Sequence, residues 1–365
     1  MSTLRVDEVV KEYPLRAAGL GRGGGTLRAV AGVSFEVAEG TTFGLVGESG
    51  CGKSTLSRIV LGLDAPTAGR VEACGQDPAT LGRAALKAWR RDVQIVAQDP
   101  AGALPARMRV GRIVEEPWRV HRLTPKGGRA ARAAELLAQV GLPRRHAEAF
   151  PHELSGGQRQ RVVIARALAL EPRLVVCDEP VSALDVSVQA QVLELLRGLQ
   201  AERGLTYLFI SHDLGVVKHM ADEVGVMYRG AMVERGPAAE VYARPRHPYT
   251  RELLDAIPSI RQAGRRRGSG GADAAAAGHA AAAAAPAAVA APARGGRPAP
   301  DAAPAGAPVL DAAAVVAQAP AAVERGCPYR ARCPLAVERC AAEAPLPREV
   351  QPGRWSACHR AEEVR

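Results

Sequence analysis

Two stretches near the start, residues 4–13 and 29–37, carry the apolar and polar mixture of half-buried strands, the first ending in Tyr13 and the second in a turn at Glu39-Gly40. Between them residues 15–26 are rich in glycine and arginine and predict a loop. Largely apolar runs at 42–46, 93–97, 174–177 and 206–210 predict buried strands, the third, which is continuous, of the kind covered on both faces of a parallel sheet. Helical spacing lies between them: Leu56, Ile59 and Val60; Val162, Ala165, Leu168 and Ala169; then Val188, Val192, Leu195 and Leu199. Residues 70–73 read as a strand after a turn at 64–69, and residues 81–91 as a basic helix. Residues 110–150 read as solvated helix, clearest over 130–140. A terminal hairpin turning at Gly230 spans 223–234, and a short helical close spans 236–258.

The pattern then stops. From 261 to 322 the chain is alanine, proline, glycine and arginine with almost no large apolar side chain. Such a segment buries too little to offset its ordering entropy and is expected to be a disordered linker. The expected organisation is a globular domain over 1–260, this linker, and a cysteine-rich region over 323–365. A length of 365 residues suits two or three domains, and 47% hydrophobic content supplies a core although aromatics are only 4%. A net charge of +10 favours anionic partners such as nucleotide phosphates, nucleic acid or an acidic membrane face. The first eight residues lack the apolar segment of a secretory signal, and the alanine block at 280–293 is broken by Pro286 and Pro292, so a soluble, cytoplasmic chain is expected, with any membrane role supplied by a spanning partner. Seven cysteines, an odd count, argue against a complete disulfide framework; Cys51, Cys74 and Cys177 read as packed or free thiols.

The chemistry centres on Gly47-Glu48-Ser49-Gly50-Cys51-Gly52-Lys53-Ser54, which fits G-x-x-x-x-G-K-[ST] between a strand and a helix. Its glycines let backbone N–H groups and the helix N-terminus point at an anion; Lys53 reaches the terminal phosphates and Ser54 a Mg2+ ion, with Thr55 next in line. Gln98, at the end of one apolar run, can reach a bound metal or its water, although alone it is more often a surface amide. Leu154-Ser155-Gly156-Gly157-Gln158 opens a helix and offers a second anion-binding end. Asp178 and Glu179 close another run. There the first can help hold Mg2+ and the second polarise a water, although such a pair alone also marks a helix start. His212 follows the last run, where a lone histidine is usually structural. Tyr13 either stacks on a base or packs at a strand end.

In this order the motifs resemble those of the ATP-binding cassette ATPases, over roughly residues 4–258. The resemblance implies an α/β P-loop NTPase fold with a mostly parallel core sheet, an antiparallel β subdomain and a helical signature subdomain. It implies ATP and Mg2+ as ligands and an aromatic A-loop at Tyr13. It further implies a Walker A at 47–54, a Q-loop at Gln98, a signature at Ser155, Gly156, Gly157 and Gln158, a Walker B ending at Asp178, a catalytic Glu179, a D-loop over Ser182 to Asp185 and a switch histidine at His212. In that family the signature of one cassette completes the phosphate site of another, so with one copy of each motif here the resemblance implies a second cassette, homologous or identical, face to face with this one. The sequence GESGCGK, Gln98-Asp99-Pro100, Arg107-Met108 and His247-Pro248-Tyr249-Thr250 with Leu253-Leu254 are similar to the ATPase subunits of dipeptide and oligopeptide importers and their nickel-carrying relatives. That similarity implies two transmembrane permeases, an extracytoplasmic substrate-binding protein acting indirectly, a place on the cytoplasmic face of the membrane and no nucleic-acid partner. One departure stands out: Ala103-Leu104-Pro105-Ala106-Arg107 occupies the place of a Ser-Leu-Asn-Pro-Arg stretch that faces the membrane partner.

The tail spaces its cysteines as Cys327-x5-Cys333-x6-Cys340-x17-Cys358. Four thiolates can close around a soft metal or an iron–sulfur cluster, and the resemblance favours 4Fe–4S over Zn2+ or uncoordinated thiols. Other readings remain: a cassette acting on nucleic acid or ribosomes, a nickel importer, or a tail that is itself the main interaction module. No second cassette, coiled-coil insertion or basic stripe interleaved with aromatics supports the first of these.

Overall fold

A computed structural model describes residues 2–15, 25–257 and 326–364; the expected linker at 261–322 lies outside the described residues. Strands β1 (Ser2–Pro14), β2 (Thr26–Ala38) and β4 (Ala68–Ala73) form a small antiparallel sheet in the order β2-β1-β4. The main sheet is built from β3 (Thr42–Val46), β5 (Val93–Val96), β6 (Leu174–Asp178), β7 (Thr206–Ser211), β8 (Glu223–Tyr228) and β9 (Ala231–Pro237). Its first five members run parallel in the order β5-β6-β7-β3-β8, and β9 turns back antiparallel on β8.

The apolar runs have a simple cause. Along β7, Tyr207 and Phe209 enter one core while Leu208 and Ile210 enter the other, and Val175 and Cys177 alternate in the same way with Leu174 and Val176 on β6. Side chains alternate with period two, so a strand covered on both faces needs an apolar residue at every position. One core faces the small sheet and helix α1 (Lys53–Val60), with Phe35 stacked on Phe43 at 4.3 Å between ring centres. The other faces helices α6 (Gly156–Leu168) and α7 (Val186–Arg203). Two expectations shift. Strand β5 lies at the sheet edge, so Ile95 is 38% exposed rather than buried. The inward stripe of α7 is Val192, Leu193, Leu196 and Leu199, one position round from the expected Leu195, which is only partly buried.

Before α6 come α2 (Arg83–Trp89), α3 (Pro100–Ala103), α4 (Val110–Val120) and α5 (Arg129–Gln139). The last two pack on α6 through Ile113, Leu136 and Val162, and Trp118 Nε1 donates to the Ala169 carbonyl at 2.7 Å. This is the expected helical subdomain. The chain then continues through α8 (Leu214–Val217), α9 (Ala238–Ala243) and α10 (Pro248–Asp255).

The tail goes where sequence reasoning did not place it. After a short helix, α11 (Arg339–Ala342), strands β10 (Arg348–Gln351) and β11 (Arg354–Ser356) extend the main sheet beyond β9, with Trp355 opposite Arg235 and Ser356 opposite Glu234. The hairpin β8–β9 is therefore not the last pair in the sheet. Arg354, 1% exposed, crosses this seam to pair with buried Glu234 at 3.0 Å.

Candidate active site

Because β3, β5, β6 and β7 are parallel, their carboxyl ends share one edge of the sheet, and the chemistry-bearing residues collect there. From β3 the chain enters the phosphate loop. A Cβ on Gly47 would lie 2.2 Å from the Met227 carbonyl oxygen, and one on Gly52 2.2 Å from that of Ala29, so only glycine lets the loop settle this tightly. Gly52, at φ 107°, precedes α1. Lys53 is buried, and its Nζ donates to the carbonyls of Gly47 at 2.6 Å and Glu48 at 3.0 Å, which holds the ammonium inside the loop. Ser49, Gly50 and Ser54 are exposed, Thr55 is half-buried, and the Cys51 thiol is buried 3.8 Å from Lys53 Nζ.

At the end of β6, Asp178 is half-buried. Burial pushes its carboxyl pKa up, the neighbouring charge of Glu179 adds to the rise, and the Ser57 hydroxyl and then the Lys53 ammonium work against both. Its Oδ1 is buried with no hydrogen-bond partner. An orphaned carboxylate oxygen beside a Lys-Ser helix start fits the oxygen-ligand chemistry of Mg2+.

Glu179 has φ 46°, the left-handed region that a non-glycine residue adopts only when its surroundings hold it there. Its backbone N–H donates to the Ile210 carbonyl at 2.9 Å, which ties the end of β6 to β7. Its carboxylate accepts from Gln98 Nε2 at 2.9 Å and stands 3.2 Å from His212 Nδ1. Gln98, Glu179 and His212 thus arrive from three strands and meet at one carboxylate.

The signature residues lie elsewhere. Ser155 caps α6 by accepting from the Gln158 N–H at 3.3 Å, and Gln158 Oε1 accepts from the Ser155 N–H at 3.0 Å, a reciprocal capping box. Gly157 packs on Val188, where a Cβ would come within 2.3 Å of a methyl group. Asp185 caps α7, accepting from the Val188 N–H at 3.1 Å and the Ser187 hydroxyl at 2.7 Å. Neither group is hydrogen-bonded to the phosphate loop. Tyr13 is partly buried beside α1, its hydroxyl 3.3 Å from Asp64 Oδ2; burial first, then Asp64, raises its pKa.

Sequence reasoning left two contacts unseen. The Tyr249 hydroxyl accepts from the Glu48 N–H at 2.9 Å, and Arg332 in the tail makes two bonds to the Glu48 carboxylate at 3.0 and 3.1 Å. The motif His247-Pro248-Tyr249-Thr250 signalled the first: His247 Nδ1 caps α10, Pro248 occupies its first turn, and Tyr249 is buried against the loop. Nothing in the local sequence signalled Arg332.

The four tail cysteines share one neighbourhood. Burial raises the thiol pKa of Cys327 and Cys333 and pushes that of Cys358 to about 11, with Cys340 and the others adding to the rise. Among the described residues, however, no group of three or more His, Cys, Asp or Glu side chains is arranged to hold a metal ion. Cys51, Cys74 and Cys177 are free thiols, the first and last buried, as expected.

Residues 30–182 match the family described as ABC transporter, and residues 233–280 and 299–340 match that described as Oligopeptide/dipeptide transporter, C-terminal region. The chain is 41% identical to the oligopeptide transport ATP-binding protein AppF of Bacillus subtilis, across 98% of its own length and 96% of AppF. It is 42% identical to a putative peptide import ATP-binding protein of Brucella ovis, covering 98% of this chain and 97% of that one. Among solved structures it is similar to the ATP-binding cassette MJ0796, described as dimeric, in a post-hydrolysis state bound to ADP and Pi, at 31% identity and a TM-score of 0.56 over 64% of this chain and 98% of that one. It is also similar to cbiO1 of Clostridium perfringens, described as part of the ABC transporter complex cbiONQ, at 27% identity and a TM-score of 0.58, covering 72% of this chain and 99% of that one.

Proposed function

This chain belongs to the ABC transporter family, among the ATP-binding subunits of oligopeptide and dipeptide importers, and from that premise we propose how its residues divide the work. It is an ABC ATPase of a peptide importer and associates with transmembrane permease components; the nucleic-acid, ribosomal and nickel readings are not favoured by these relatives. Among the described residues no helix is long and apolar enough to cross a membrane, which suits a peripheral place on the cytoplasmic face beside two permeases, with an extracytoplasmic binding protein delivering the peptide.

The loop N–H groups and Lys53 hold the terminal phosphates of ATP, and Tyr13 faces the base. Ser54, Asp178 and Gln98 are the residues that would hold Mg2+, which when bound neutralises charge on the transferring phosphoryl group. Glu179 is the general base, taking a proton from the attacking water while Gln98 and His212 orient its carboxylate. Ser155, Gly156 and Gly157, at a helix start with Ser155 exposed and with no hydrogen bond to their own phosphate loop, complete the site of a second cassette, and Asp185 stands beside them. The dimeric state named for MJ0796 supports this pairing. The observation that carries the reading is Glu179, held in a left-handed backbone with its carboxylate between Gln98 and His212.

The decisive experiment uses Glu179→Gln with Mg2+ and ATP. It is expected to bind ATP, stop turnover and accumulate as a closed pair by sedimentation; phosphate release at the wild-type rate removes Glu179 from its role. For the tail, the described thiols are not grouped to hold a metal ion, so neither the expected 4Fe–4S cluster nor Zn2+ is assigned to them. Iron and acid-labile sulfide in anaerobically purified protein would restore the cluster and zinc alone the alternative; neither leaves free thiols.

A further inference from the structure

Within the eight-residue phosphate loop Glu48 is the single acidic residue, set where the substrate brings several negative charges. A carboxylate free to swing there repels those charges. Its side chain is not free. Arg332, 284 positions further along the chain, forks onto it with Nη1 at 3.1 Å from one oxygen and Nη2 at 3.0 Å from the other. Two parallel charge-assisted bonds fix direction as well as charge.

The arginine is itself held. It also pairs with Glu252 on α10, and Glu252 accepts from the Tyr329 hydroxyl. Tyr329 is 2% exposed, edge-on to Tyr228 at 5.3 Å and beside Tyr249 and His247 at 5.6 Å. The Arg332 guanidinium stands 5.8 Å from the Tyr329 ring centre. Tyr249, in the same cluster, takes the Glu48 backbone N–H. Glu48 is therefore gripped twice, at its amide by α10 and at its carboxylate by the tail, and the tail cannot leave without releasing the second grip.

We propose that Arg332 is a positioning residue for ATP binding: docked with the tail, it neutralises the Glu48 carboxylate beside the phosphate site and holds it in one orientation. The inference rests on the ATPase reading and deepens it, because it makes nucleotide affinity depend on a C-terminal segment outside every nucleotide motif. Both side chains are nearly half exposed, at 41% and 45%, so solvent and salt screen the pair and the effect is modest.

The test is a double-mutant cycle in the full-length chain, with Mg-ATP titrated against wild type, Arg332→Ala, Glu48→Gln and the double variant at low and high salt. Arg332→Ala is expected to raise Kd and KM for ATP about three- to fivefold, with kcat much less affected and the loss shrinking at high salt. Adding Glu48→Gln to Arg332→Ala is expected to recover most of the affinity, because the repelling charge is gone. A merely structural Arg332 gives a different pattern: lost affinity that Glu48→Gln does not restore, and lowered hydrogen-exchange protection across β11. That pattern overturns the proposal, as does wild-type affinity in Arg332→Ala. Wild-type protein that binds no ATP overturns the reading of the site itself, so the two failures are distinguishable.

Discussion

Two glutamates show what distinguishes the strand-end cluster from the seam where the tail joins the sheet. Glu234 on β9 is 1% exposed and accepts from the backbone N–H groups of Arg246 at 2.7 Å and His247 at 2.9 Å and from Arg354 at 3.0 Å. Burial pushes its pKa up, and the Thr250 hydroxyl, the Arg246 N–H and Arg354 pull against it. Glu179 has two side-chain partners, Gln98 and His212, both able to rotate away, and a backbone held in the left-handed region. The first carboxylate is saturated by fixed donors and serves cohesion. The second keeps partners that can give way to a water and Mg2+, as a general base requires.

The sharpest way to break this comparison is to remove one carboxylate's function at a time. Glu179→Gln keeps the amide partners and removes the proton acceptor, so kcat is expected to fall by about 10²–10⁴-fold while the melting temperature stays near that of wild type. A fall in both, measured by phosphate release and thermal unfolding, would make Glu179 as structural as Glu234. Next in size is the seam. Arg354→Ala leaves Glu234 buried without its cation, which costs about 3–5 kcal/mol where the partner cannot be rehydrated. Because β11 makes a short pairing with β9, that loss is expected as early hydrogen exchange across 348–357, with the parallel strands β3, β6 and β7 still protected. Unchanged protection there would show that the strand pairing holds the tail without the ion pair.

The two regions were also unequally legible. The phosphate loop, the Asp178-Glu179 pair and His212 each follow an apolar run by a residue or two, and a strand's carboxyl end is a local property, so the runs marked where candidates lie, while their roles came from the resemblance carried by the order of the motifs. The two core faces were equally readable, since continuous apolar runs record burial on both sides. The seam depends on Arg354 meeting Glu234 and on Ser356 lying opposite it across about 120 residues; read locally, Arg354 is a charged residue after a glycine turn. The same holds for Arg332 and Glu48. Asp185 and Ser155, singled out for the nucleotide, also serve as helix caps, a role their residue types allow and their motif positions hide. The half-exposed Ile95 was missed because sequence does not say which strand ends the sheet.

The smallest effect belongs to His247, which lies against Glu234 in the same seam and titrates in the opposite sense to a salt-bridged histidine. It is 2% exposed, its Nδ1 accepts from the Tyr249 N–H at 3.1 Å, and burial lowers its pKa from 6.5 to about 4. The unfolded chain takes up a proton as pH falls through about 6.5, whereas the folded chain resists until about 4. Its contribution to stability is therefore complete above pH 6.5 and lost progressively between 6.5 and 4, amounting to roughly 3 kcal/mol at the acid end. His247→Asn keeps a cap acceptor at the start of α10 and removes the titration. Stability measured from pH 7 to 5, a range where most carboxylates are still ionised, is expected to fall less steeply in this variant than in wild type. Equal slopes would mean that the histidine is protonated in place, with the Glu234 carboxylate 2.9 Å from its backbone N–H absorbing the charge.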